Sequence, residues 1–282
     1  MAKAQGKVWL VTGSTSGFGR SIVEAVLERG ECAIVTGRKV DAIADLAQRY
    51  PETALVTTLD VTDAQSVGRA VEQGLNRFGR IDVLVNNAGY GMVGALEETT
   101  DEDWRALFDV NVFGLVDVTK AVLPAMRAQR SGTIVNISSV GGFVAIVGSA
   151  TYASSKFAVE AISEATALDL KPLGINVLIV EPSAFRTGFA GDAMKVAEPV
   201  DDYAETVGKR RERIGDMDGN QPGDPERAAH AIIEAVEADD PPLRLALGNA
   251  AVDSIRRKLA TMSRELDTWE DVSRAADFPK VE

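Results

Sequence analysis

Short apolar runs alternate with longer amphipathic stretches along most of the chain. Residues 7–12, 31–36, 55–59, 82–85, 133–137, 174–180 and 243–247 are rich in Val, Ile and Leu, and each run has the length and composition of a strand. Between them the apolar positions follow a helical period. Ile22, Val23, Val26 and Leu27 form one such face, and Trp104, Leu107, Phe108, Val112, Leu115, Val118 and Val122 form another within residues 101–129. Val159, Ile162, Ala165 and Leu168 mark a further helix, and residues 225–238 the next. Beyond the last strand, Val252, Ile255, Leu259, Met262, Leu266 and Trp269 step by three and four residues, which predicts an amphipathic helix packed on its own body. Strands alternating with helices predict an α/β fold built on a parallel sheet of about seven strands.

Composition narrows the function. With 282 residues and 45% hydrophobic content the chain can bury a full α/β core. A net charge of −12 disfavours a nucleic-acid or anionic-membrane surface, either of which calls for clustered Lys and Arg. Lys3 and Lys7 precede only the brief run at residues 8–11, too short for a signal-peptide core, and no later run reaches the length of a membrane span. A cytoplasmic protein is therefore expected, and the lone Cys32, which has no partner for an internal disulfide, agrees with a reducing compartment. His230 is the only histidine and sits in an ordinary amphipathic pattern, so neither a Ser-His-Asp triad nor a histidine-rich zinc site is expected, and no metal is assigned.

Two stretches carry candidate chemistry. The first strand runs into Gly13-Ser14-Thr15-Ser16-Gly17-Phe18-Gly19 and then into a helix, the strand-turn-helix context of a dinucleotide loop. Its glycines permit close backbone approach, and the helix N-terminus offers free N–H groups to a pyrophosphate. The second strand ends at Gly37-Arg38-Lys39, where an NAD-binding chain usually places a carboxylate. Arg38, and Lys39 beside it, would instead favour the 2′-phosphate of NADP, with NAD as the alternative. The second stretch is Tyr152-Ala153-Ser154-Ser155-Lys156, which places a phenol and an ammonium on one helix face. Bringing a tyrosine from about 10 to near 7 takes about 4 kcal/mol, and one partly buried cation at about 4 Å supplies a comparable amount. The pair alone is common on solvated helices.

Taken together and in order, Thr12-Gly13-x3-Gly17-x-Gly19, Asp60, Asn86-Asn87-Ala88-Gly89, Asn111, Ser139, Tyr152-x3-Lys156, Pro182 and Thr187 resemble the short-chain dehydrogenase/reductase family over residues 7–190, with similarity to its hydroxysteroid/retinol branch. The resemblance implies a single-domain Rossmann-type doubly wound sheet over residues 1–248 with a helical extension at residues 249–282. It implies a catalytic tetrad in which Tyr152 exchanges the proton, Ser139 bonds the substrate oxygen, Lys156 holds the nicotinamide ribose and Asn111 holds a water through a helix irregularity. Ser139 is preferred to Ser138 because the family serine usually lies 13 residues before the tyrosine. Cofactor contacts are expected from Thr12, Gly13, Ser14, Ser16, Gly17, Phe18, Gly19, Arg38, Asp60, Val61, Asn87, Ala88, Gly89, Tyr152, Lys156, Pro182 and Thr187. Ser183 departs from the glycine common after the proline and puts the nicotinamide end in question.

The reaction so implied interconverts a secondary alcohol and a ketone or aldehyde. Residues 183–222 carry scattered apolar side chains among charges and are expected to form a mobile substrate lid. Tyr90, Val144, Phe185 and Phe189 are the candidate substrate contacts, and their apolar character predicts a hydrophobic substrate. A homodimer or homotetramer is the family default. Two other readings stay open: a β-ketoacyl carrier-protein reductase, which the acidic charge disfavours, and a dinucleotide-binding sensor or scaffold without turnover.

Overall fold

The computed structural model describes residues 6–278. Lys3 and the outermost ends of the two expected units lie outside the described residues. The chain runs β1 (Val8–Val11), α1 (Gly17–Glu28), β2 (Cys32–Gly37), α2 (Ala44–Arg49), β3 (Ala54–Thr58), α3 (Ala64–Phe78), β4 (Val83–Asn86), β5 (Gly91–Val93), α4 (Asp101–Phe108), α5 (Leu115–Gln129) and β6 (Gly132–Ile137). It continues through α6 (Ala150–Leu170), β7 (Ile175–Pro182), β8 (Met194–Val196), α7 (Lys209–Met217), α8 (Pro225–Glu237), β9 (Arg244–Leu247) and α9 (Asn249–Arg274).

Seven of these strands form one parallel sheet in the order β3-β2-β1-β4-β6-β7-β9. All seven runs read as strands are in it. Their side chains alternate between two covered faces, which is why the runs are apolar throughout rather than at every second residue. Trp9, Val11, Ala33, Val35, Val83 and Val85 pack with α1 and α8 on one side, while Val8, Leu10, Cys32, Ile34 and Leu84 pack with residues of α3 and α5 on the other. The strand order reverses at β1–β4, and the crevice at the carboxyl ends of these strands is where such a sheet takes its ligand.

The segment after β7 makes contacts with the body: β8 pairs with β5 in a second, two-stranded sheet, and the buried Glu98 accepts hydrogen bonds from Ala95 N, Val200 N and Arg211 Nη2. Burial would raise the Glu98 carboxyl, but these bonds prevail and hold it below the usual carboxylate value. One expectation needs correction: the terminal helix is present, but it does not pack along its length on the body, and only its first turns rest there. Leu259, Met262, Leu266 and Trp269 are exposed, because the sheet ends at β9 and no further layer among the described residues covers them.

Candidate active site

The glycine loop joins β1 to α1 at the crevice. Gly13 and Gly17 have φ of 68° and 54°, which a residue with a Cβ rarely adopts. A Cβ on Gly19 would overlap the Gly13 carbonyl and stand 2.5 Å from Asn87 Nδ2. That amide donates to the carbonyls of Thr12 and Gly13, each at 2.9 Å, and Thr12 Oγ1 accepts from the Asn87 and Ala88 N–H groups, each at 3.0 Å. The β4 turn and the β1 loop are thus one hydrogen-bonded unit. Ser16, at the head of α1, makes no side-chain cap, so the first N–H groups of the helix have no side-chain partner there.

Not every expected cofactor residue faces the crevice with its side chain. Ser14 is fully buried; its N–H donates to Thr36 O and its hydroxyl to Val11 O, so it braces the loop rather than presenting a phosphate donor. Val61 packs into the sheet core against Gly114, leaving only its backbone free to face a ligand. Asp60 accepts from the Thr62 N–H and hydroxyl, which lower its pKa. Arg38 and Lys39 are exposed, and among the described residues neither has an ion-pair partner.

Tyr152 and Lys156 lie one turn apart on α6. Ser139 follows β6, and a position built out from Gly141 would be 3.3 Å from Ser139 Oγ and 3.4 Å from the Tyr152 ring, so the two side chains meet there. Ser138 is instead buried beside Gly142 and Glu160. Lys156 is buried; its ammonium donates to Ile137 O at 2.8 Å and lies 5.9 Å from the Tyr152 ring centre. Asn111 falls in a π-helical turn at Asp109–Gly114, the irregularity expected of it. Its side chain is committed: Oδ1 accepts from Tyr90 N at 3.1 Å, and Nδ2 donates to Tyr90 O and Ser155 Oγ. It clamps the loop after β4.

In the protein without cofactor, burial dominates the electrostatics of the pair. Burial pushes Tyr152 up to about 12, and the Ser139 hydrogen bond offsets this only in part. Burial also brings Lys156 down to about 8, partly countered by the negative charge of Glu160. Desolvation thus outweighs pair attraction, since the ammonium points at a carbonyl rather than at the phenolic oxygen.

Of the substrate candidates, Tyr90 packs with Tyr152 against Met92 and Leu107, and the Phe189 ring lies 5.8 Å from that of Tyr152. Val144 is half-buried in the loop before α6, where Ile146 and Val147 stand exposed. Phe185 does not join them. It packs edge-on against Phe18 at 5.0 Å and lines a separate cavity of about 750 Å³ with Arg186, Gln221 and Gly248. Thr187 lies against Gly17, closing the loop after β7 onto the glycine loop. Ser183 departs from the family glycine without obstruction, because its hydroxyl bonds Leu247 O and faces Gly248, which has no Cβ to meet it.

A buried charge cluster was not legible in the sequence, since its members lie on three separate elements. Arg244 of β9 has Nε 3.2 Å from Glu160 Oε2 on α6 and 3.3 Å from Glu181 Oε1 on β7, and it also pairs with Glu164. Three carboxylates share one guanidinium, and Glu181 is pushed up to about 7 by burial and by Glu160. A carboxyl raised in the folded state stabilises below its unfolded value of about 4.5, and that contribution is lost as pH rises through about 7. The variant Glu181→Gln should therefore gain on the parent between pH 5 and 8, by at most on the order of 3 kcal/mol in urea unfolding. Equal stability differences at both pH values would refute the assignment.

Comparison with known proteins agrees with this architecture. Residues 7–197 match the family model described as short chain dehydrogenase. A crystal structure of a short-chain dehydrogenase from Streptomyces avermitilis superposes with a TM-score of 0.92 at 47% identity, covering 97% of this chain and all of that one. An oxidoreductase of Botryotinia fuckeliana, BOA17, is 36% identical over 96% of this chain and 99% of its own length. A protein of Bacteroides thetaiotaomicron named 3-ketodihydrosphingosine reductase is 38% identical over 86% of this chain and 88% of its own. Among the described residues no helix is long and apolar enough to cross a membrane. With a dinucleotide-binding sheet and a family match over most of its length, the chain belongs to the short-chain dehydrogenase/reductase family of oxidoreductases.

Proposed function

We propose that this chain is an NADP(H)-preferring oxidoreductase of the cytoplasm that interconverts a secondary alcohol and a ketone or aldehyde on a hydrophobic substrate. The observation that carries the reading is the meeting of Ser139 and Tyr152 at the crevice, with the buried Lys156 beneath them and the glycine loop alongside. A pure binding protein has no use for a hydroxyl, a phenol and a desolvated ammonium in one place.

The residues fit a dinucleotide. The tight glycine loop, which the missing Cβ atoms of Gly13 and Gly19 let pack against Asn87 and Ala88, the uncapped start of α1 and the cations Arg38 and Lys39, without ion-pair partners among the described residues, suit a pyrophosphate and a 2′-phosphate in turn. Asp60 and Val61 would border the adenine, Asn87, Ala88 and Gly89 the adenosine ribose, and Pro182 and Thr187 the nicotinamide end. When bound, the cofactor supplies or takes the hydride. Tyr152 O–H then donates its proton to the carbonyl oxygen in reduction and recovers it in oxidation. The Ser139 hydroxyl bonds the same oxygen, and Lys156 holds positive charge below the phenol. Asn111 serves by fixing the Tyr90 loop, which borders the substrate.

Apolar groups at the mouth favour a ketone carried on a hydrophobic body: Tyr90, Val144, Phe189 and the exposed Ile146 and Val147. The Bacteroides relative is named for reduction of 3-ketodihydrosphingosine, which is of that class. Phe113, Phe157 and Leu168 are exposed on the π-helical turn and α6, and their burial between subunits fits a homodimer or homotetramer. A panel of hydrophobic ketones, followed by NADPH absorbance, tests the activity. Arg38→Ala should raise the KM for NADPH by about 10- to 100-fold, the loss of one or two charge-assisted bonds, and leave that for NADH nearly unchanged. Parent enzyme that prefers NADH would refute the Arg38 assignment.

A further inference from the structure

The 26-residue helix α9 contributes little to the fold that carries it. Ala251 is fully buried and the first turns rest on β9 and on the turn at Val140–Gly142, but the rest projects outward. Leu259, Met262, Leu266 and Trp269 are 51%, 50%, 66% and 61% exposed. With Val252 and Ile255 they repeat at alternating steps of three and four residues. This is the 3.5-residue period of a two-helix seam, narrower than the face a helix turns to a globular body. A continuous row of four large apolar side chains marks an interaction surface.

Charge identifies the partner. The inner half of α9 carries Arg256, Arg257 and Lys258 with Asp253, a net positive half, and the outer half carries Glu265, Asp267, Glu270 and Asp271 with Arg264 and Arg274, a net negative half. The helix as a whole holds five basic and five acidic residues, so it suits neither an anionic membrane nor a nucleic acid. A second copy laid antiparallel places basic half against acidic half at both ends. A parallel copy would set basic half beside basic half and acidic half beside acidic half, with Glu265 facing Glu270 across the seam. Antiparallel self-pairing about a two-fold axis is also the closed arrangement a single self-complementary patch permits. We infer that α9 pairs antiparallel with α9 of a second copy of this chain, burying Leu259, Met262, Leu266 and Trp269 in the seam.

Sedimentation equilibrium of the full chain at micromolar concentration tests this. The parent should form an assembly whose mass falls to half when Leu266→Asp and Trp269→Asp are combined, with circular dichroism unchanged because both side chains are exposed. Arg256→Glu with Lys258→Glu should weaken self-association by on the order of 100-fold at low salt, by placing like charges in register. Adding Glu265→Lys and Glu270→Lys to the same chain should restore it. A monomeric parent, a mass indifferent to either pair of substitutions, or failure of the fourfold reversal to restore assembly would each overturn the proposal. So would binding of α9 to anionic phospholipid vesicles with no self-association in solution.

Discussion

Tyr152→Phe should lower kcat for ketone reduction by about 10³-fold while leaving NADPH affinity within about twofold. The substitution removes one oxygen and leaves the ring that packs against Phe189, Tyr90 and Met92, so a structural explanation of the loss is weak. The direction of pH dependence follows from the same group. Because burial raises the phenol to about 12, it is protonated throughout the neutral range, and reduction, which uses the protonated form, should be flat there. Alcohol oxidation needs the phenolate and should rise with pH, up to about tenfold per unit, until the tyrosine ionises. A bound oxidised nicotinamide adds a second positive charge and brings that point down. Steady-state rates in both directions over pH 6–10 check this. Unchanged reduction by the Phe variant would remove Tyr152 from the chemistry, and a reduction rate that rises with pH would reverse its assigned role.

Gly19→Ala should abolish measurable NADPH binding and lower stability by about 1–3 kcal/mol. The added methyl has nowhere to go: it meets the Gly13 carbonyl and the Asn87 side chain, and both are fixed by the bonds that tie β1 to β4. Relief requires moving the glycine loop away from the start of α1, which opens the proposed pyrophosphate cradle. Protein fluorescence titration with NADPH and urea unfolding report the two effects separately. Binding at the parent level would mean that the loop relaxes freely and is not the cofactor cradle.

The glycine loop shows how much chemistry a local pattern can specify. Gly13, Gly17 and Gly19 were legible because tight turns and close approach require a missing Cβ, a demand that acts within a few residues. Ser14 and Ser16 looked alike in that pattern, and only the packed loop separates them: Ser14 turns inward to Val11 and Thr36, whereas Ser16 stays at the helix start. Phe185 and Phe189 likewise share a composition, but one lies on Phe18 and the other on Tyr152. The side a residue faces within an irregular segment depends on what the rest of the chain brings against it.

By itself, the sequence determined the alternation of strands and helices, the seven-stranded parallel sheet and the glycine turn between β1 and α1, each by a short-range rule of period, turn or spacing. The proposed tetrad came from the resemblance of ordered motifs to a family, since no local rule assigns those four residues a common site. Only the tertiary structure decided that burial raises the Tyr152 phenol, that Glu160, Glu181 and Arg244 converge, that Glu98 binds Val200 and Arg211 and that α9 is left uncovered among the described residues. Desolvation, charge convergence and exposure depend on contacts between residues far apart in the chain, and no local pattern encodes them.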